Sequence, residues 1–132
     1  MRIALARRAE ALDSWIDNLA SCKIRGYSGT RPTDADTALS GNTLLFECTG
    51  NATFSPSSSA GVLTANAITQ DSVADNTGTL TFVRIYQSDG TTPFCDLSVG
   101  TSGAEFNIPS LSIVAGLVVQ VSAMTLSLPV GA

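Results

Sequence analysis

Histidine is missing from this 132-residue chain. That removes Ser-His-Asp and Cys-His nucleophilic catalysis, and with them the commonest transition-metal ligand. Lysine occurs once, as Lys23, so a lysine-based mechanism would rest on that single side chain. Charged residues make up only 14% of the chain, well under the usual quarter, and the net charge is −4. No basic run extends beyond Arg7-Arg8, which argues against wrapping nucleic acid. The longest apolar run, Ile113–Val119, is far too short to span a bilayer. Glu10, Asp13 and Asp17 follow Met1-Arg2 too closely for the apolar core of an export signal, so neither export nor membrane insertion is expected. Cysteine is sparse and odd in number. Cys22, Cys48 and Cys95 lie far apart in strand-like contexts, which predicts buried free thiols in a reducing compartment and not a disulfide framework or a zinc motif. Phosphate-cradling glycine loops are absent, and Gly100-Thr101-Ser102-Gly103 has the wrong glycine spacing for a nucleophile elbow. No cofactor and no resident metal are expected.

What remains is 44% hydrophobic residues set among Ser, Thr, Asn, Gly and Ala. This composition suits a β-sandwich, or an assembly protein whose surface is covered by neighbours; an ordinary soluble β-domain is the plainer alternative. The length predicts one domain with a real core. Residues 1–21 form its helical portion and residues 22–132 its β-sandwich portion. Residues 2–21 carry a helical stripe of Leu5, Ala9, Leu12, Ile16 and Leu19, widened by Trp15. Leu5, Leu12, Trp15, Ile16 and Leu19 are therefore candidates either for packing on the domain or for a subunit contact.

The sequence organises around Thr77–Val99. Thr79–Gln87 predicts a long central strand covered on both faces, by the opposite sheet and by a helix or a neighbouring subunit. Asp89-Gly90 supplies a tight reversal, and Phe94, Cys95, Leu97 and Val99 return. Further strands are predicted at Cys22–Tyr27, Thr43–Cys48, Gly61–Thr69, Ala104–Ile108 and Ile113–Val114. A second long strand is predicted at Leu117–Leu128, ended by Pro129. Seven or eight strands at turn spacings of about 8–12 residues point to an antiparallel sandwich, jelly-roll or Greek-key-like, with one N-terminal helix.

Candidate chemistry is thin. Arg84, inside the most apolar strand, is expected to be partly buried and to pair with Asp96 or Glu105, or else with a neighbouring subunit. A buried charge left unpaired would cost several kcal/mol. Glu47, Asp96 and Glu105 could in principle supply a glycosidase carboxylate pair, though lone carboxylates near strand ends are usually rim charges. Asp34 and Asp36 alternate as in a calcium loop but lack its glycine and its distal glutamate, so solvated turn residues are the better reading. Asn51-Ala52-Thr53 fits a glycosylation sequon, which means little without export.

Four motifs carry a likeness: Tyr27-Ser28-Gly29-Thr30-x-Pro32, Ala65-Asn66-Ala67-Ile68, Ser98-Val99-Gly100-Thr101-Ser102-Gly103-Ala104 and Ser112-Ile113-Val114-Ala115-Gly116. Through them nearly the whole chain resembles small tailed-bacteriophage virion structural proteins of the capsid decoration or minor capsid type. The resemblance implies a non-enzymatic protein made in the bacterial cytoplasm and placed on the head exterior. Its partner would be the major capsid protein lattice, and a homo-oligomer, often a trimer, is expected, with no nucleic acid and no membrane. A tail, collar or fibre-attachment part, or a carbohydrate- or host-surface-binding module, is the alternative.

Overall fold

The computed structural model describes residues 1–128; Pro129, the expected end of the last strand, lies outside them. The chain is mainly β, with one N-terminal helix and several sheets. Helix α1 spans Leu5–Asn18, shorter at both ends than the expected residues 2–21. Its N-terminus carries no side-chain cap, since Ala4 occupies that position in extended conformation. At the other end Ser21 takes the left-handed region (φ 52°), and its N–H bonds to the Asn51 carbonyl at 3.0 Å, turning the chain into the first strand. Leu12 and Leu19 are fully buried in the common core, and Trp15 and Ile16 pack half-buried against it. Trp15 meets Phe94 edge-on at 5.3 Å. The helix thus covers the chain's own core, and of the five stripe candidates only Leu5 remains largely exposed.

The main sheet contains β1 (Lys23–Tyr27), β2 (Leu44–Thr49), β5 (Phe82–Tyr86) and β6 (Pro93–Leu97), in the order β2-β1-β5-β6 and antiparallel throughout. One face, with Ile24, Cys48, Val83, Ile85 and Leu97, is core. Gly26 sits there because a side chain would not fit: a Cβ would collide with the Phe46 ring and lie 2.8 Å from a Leu80 methyl. A second four-stranded sheet orders β3 (Val62–Thr64), β10 (Ala123–Ser127), β8 (Phe106–Asn107) and β7 (Val99–Gly100); only the β7–β8 pair is parallel. Phe46 stacks on Phe106 at 6.1 Å, joining the two sheets in one core. A third, two-stranded sheet pairs β4 (Gly78–Thr79) with β9 (Ser112–Ile113).

Three strands differ from expectation. The long strand at Thr79–Gln87 is two, because the chain changes partners: Leu80 N–H bonds to Leu111 and Thr81 N–H to Tyr27. Of Gly61–Thr69 only Val62–Thr64 is strand. Of Leu117–Leu128 only Ala123–Ser127 is strand, because Gly116, at φ +86°, closes a turn with Leu117 N–H on the Val114 carbonyl. The Asp89-Gly90 reversal forms as predicted, with Gly90 at φ +74° and its N–H on Gln87. Asp89 accepts from the Thr92 hydroxyl and from the N–H groups of Thr91 and Thr92, which hold its carboxyl down to about 2.

Candidate functional site

The second face of the main sheet carries a row of charge in register across all four strands. Glu47 stands opposite Arg25, Arg25 opposite Arg84, and Arg84 opposite Asp96. The order is minus, plus, plus, minus, so each cation has a carboxylate on its outer side. At one end Arg84 donates from Nε and Nη2 to both oxygens of Asp96, at 2.7 and 3.0 Å. Both side chains are only 4% exposed. The remaining reach of the guanidinium goes to backbone: Nη1 donates to the Thr37 carbonyl at 2.9 Å and Nη2 to the Asp34 carbonyl at 3.1 Å. Asp96 holds the guanidinium even more firmly protonated than usual, against the opposing effect of burial. The loop between β1 and β2 therefore lies over this half of the sheet. It supplies the covering that the sequence reading assigned to a helix or a subunit.

At the other end Arg25 pairs with Glu47 at 2.6 Å and lies 4.7 Å over the Tyr86 ring, half-exposed. Glu47 and Asp96 are thus separated by two intervening strands, roughly 14 Å at ordinary strand spacing, and each is already paired. That exceeds the separation at which two carboxylates flank a glycosidic bond. Glu105 does not join Arg84; it accepts from the Ser98 N–H at 3.1 Å and the Ser98 hydroxyl at 3.3 Å. Asp34 folds on its own turn, accepting from the Thr37 hydroxyl and the N–H groups of Thr37 and Asp36; the hydroxyl bond is the main cause of its lowered pKa. Among the described residues no cluster of three or more metal-ligating side chains occurs. No helix among them is long and apolar enough to cross a membrane.

The three cysteines are free. Burial dominates each, raising Cys22 to about 11 and Cys48 and Cys95 to about 12. All three are therefore protonated and unreactive near neutrality. All eight aromatic rings are buried or half-buried, so no exposed ring is offered for a sugar to stack on.

Comparison with protein-family models, with curated proteins and with solved structures returned no match.

Among the described residues, a surface with exposed apolar side chains lies elsewhere, around β9 and the segment after it. A groove of about 390 Å³ is lined by Ile108, Ile113 and Val119, all nearly buried, and by Val114, Leu117 and Val118, with Gln70, Ser110, Ser112 and Gln120 as its polar part. Val114, Leu117 and Val118 are 45%, 59% and 52% exposed, and Val73 nearby is 59% exposed. Backbone bonds bring these segments together: Ala74 N–H to Leu117, Gly116 N–H to Ala74, and a reciprocal pair between Asp71 and Val119. Sequence reasoning missed this surface, since Leu117 and Val118 alternate like the faces of a strand. A signal was present in the composition: no charged side chain follows Glu105.

Proposed function

We propose that this protein is a non-enzymatic structural component of a tailed-bacteriophage virion, best read as a head decoration or minor capsid protein that stabilises the shell through buried contact. The observation that carries this reading is the pairing of a largely apolar, outward-facing groove with a main sheet whose row of four charges is engaged in two ion pairs. Exposed apolar side chains gathered at one place are the signature of a contact surface. The two four-stranded sheets joined through Phe46 and Phe106 suit a sandwich of jelly-roll or Greek-key kind, which supplies the rigid body such a part needs. Sparse charge suits a surface covered by neighbours, and cyclic homo-oligomers are the usual way such patches close.

The test is immunogold labelling and electron microscopy of purified particles of the phage that encodes the chain. Label on the outer head lattice is the expected result. Label on the tail or collar would transfer the protein to the alternative role, and its absence from particles would overturn the virion reading.

A further inference from the structure

The turn between β5 and β6 is built on Asp89-Gly90, the one Asp-Gly pair in the chain; no Asn-Gly pair occurs. Such a pair is reactive because glycine leaves the amide nitrogen that follows aspartate unshielded. That nitrogen attacks the side-chain carboxyl carbon, Cγ. An N–C bond forms, the amide proton and the carboxyl hydroxyl leave together as water, and a cyclic imide results. Water then reopens the imide on either side. Opening at the backbone carbonyl leaves isoaspartate, with the chain running through Cβ and Cγ. The net change is an isomerisation that needs no enzyme, oxidant or cofactor. We infer that Asp89-Gly90 is a site of this modification, kept closed by the folded turn and released only when the hairpin opens.

The turn needs both residues. Gly90 lies at φ +74°, where glycine is unstrained, and a Cβ there would lie 3.0 Å from Arg25 Nη2. Asp89 caps the turn: its Oδ1 accepts from the N–H groups of Thr91 and Thr92, both at 2.9 Å, and its Oδ2 accepts from the Thr92 hydroxyl at 2.6 Å. The same bonds obstruct the reaction. Both carboxylate oxygens are held, so Cγ is not free to turn toward Gly90. Three donors favour the ionised carboxylate, whereas ring closure expels water readily only from the neutral acid. The attacking nitrogen is engaged as well, donating its proton to the Gln87 carbonyl at 2.9 Å. Thr92 is the positioning residue, since its hydroxyl is the one donor of the three that a side-chain substitution removes. Asp89 and Thr92 are exposed, so water is at hand once the turn yields. The product would add a backbone atom to the turn and take away its cap, in a hairpin whose register holds Arg84 opposite Asp96.

The full chain is incubated near neutral pH, folded and in concentrated urea. Isoaspartate at residue 89 is followed by enzymatic methylation of isoaspartyl groups and by electron-transfer fragmentation of the peptide that carries it. The folded chain should isomerise roughly tenfold or more slowly than the unfolded one, as several hydrogen bonds to one carboxylate imply. Thr92→Val should speed the folded chain severalfold and leave the unfolded chain unchanged. Thr92→Ser, which keeps the hydroxyl, should match the unaltered protein. Trp15→Ala, which loosens the core and not the turn, should leave the folded rate where it was. Thermal melting shows that each variant is folded at the incubation temperature. Equal rates in the folded and unfolded chains would overturn the inference; that comparison uses the unaltered protein and decides even if Thr92→Val fails to fold. A folded Thr92→Val at the unaltered rate would also overturn it, as would a Thr92→Ser as fast as Thr92→Val. An acceleration by Trp15→Ala as large as that by Thr92→Val would do the same, by making global unfolding the cause in place of the turn.

Discussion

Arg84 is the side chain on which the polar structure over one half of the main sheet depends. Its fork satisfies both oxygens of a carboxylate and two loop carbonyls, so removing it strands several groups at once. Arg84→Met should destabilise the protein by about 3–5 kcal/mol, because Asp96 would remain charged and buried without a partner. Adding Asp96→Leu should recover part of that loss and not all of it, since the Asp34 and Thr37 carbonyls still lack their donor. Urea unfolding of the two variants measures both; a midpoint unmoved by Arg84→Met would mean that the pair contributes nothing. Gly26 is decided by space instead of charge. Gly26→Ala forces a methyl into the Phe46 ring and should lower stability by about 1–3 kcal/mol in the same assay.

Among the elements, the helix and the strands differ in how far local pattern reaches. The spacing of Leu12, Trp15, Ile16 and Leu19 located α1 correctly, because a helical stripe is a local property that packing then buries. The same stripe could not say what buries it; Trp15 on Phe94 answers that with an intramolecular contact. Trp15→Ala should therefore cost about 2–3 kcal/mol of stability and leave the sedimentation mass of the protein unchanged, whereas Leu5→Ala should stay within about 0.5 kcal/mol. Thermal unfolding and sedimentation distinguish the two. Strands were legible where the same partners serve the whole run, as in Lys23–Tyr27 and Phe82–Tyr86. They were misread where partners change. Nothing in Thr79-Leu80-Thr81-Phe82 announces that β4 pairs with β9 while the next residues join β1. Likewise Leu117-Val118-Val119 makes only the single bridge of Val119 with Asp71, and apolar character alone does not separate a core face from an exposed one. The Arg84–Asp96 partnership was open in the sequence to Glu105 as well; hairpin register places Asp96 directly opposite, while Glu105 lies with Ser98.

At the scale of the whole molecule, charge and thiols divide the chain. All seven cations lie at or before Arg84, and the charge-free stretch after Glu105 supplies β8, β9, β10 and the groove. The core between the sheets takes in Cys22 and Cys48, with Cys95 packed against it. This gives the fold a defined response to alkali. Each thiol has its pKa raised from 9.0 by burial, to about 11 for Cys22 and about 12 for the other two. The folded state therefore holds these protons more tightly than the unfolded chain does. Their contribution to stability is fully present below about pH 9 and declines as the pH rises toward 11–12, because only the unfolded state is then free to ionise. The melting temperature should accordingly be insensitive to these groups between pH 6 and 8 and fall steadily above about pH 9, in part because of them. Replacing Cys48 by Ala should flatten that alkaline decline even though the cavity lowers the melting temperature at every pH. In the native protein at pH 8, a thiol-specific disulfide reagent should label the three cysteines far more slowly than in denaturant, with half-buried Cys95 the first to react. Rapid native labelling of Cys22 and Cys48 would show that the two sheets do not close over them.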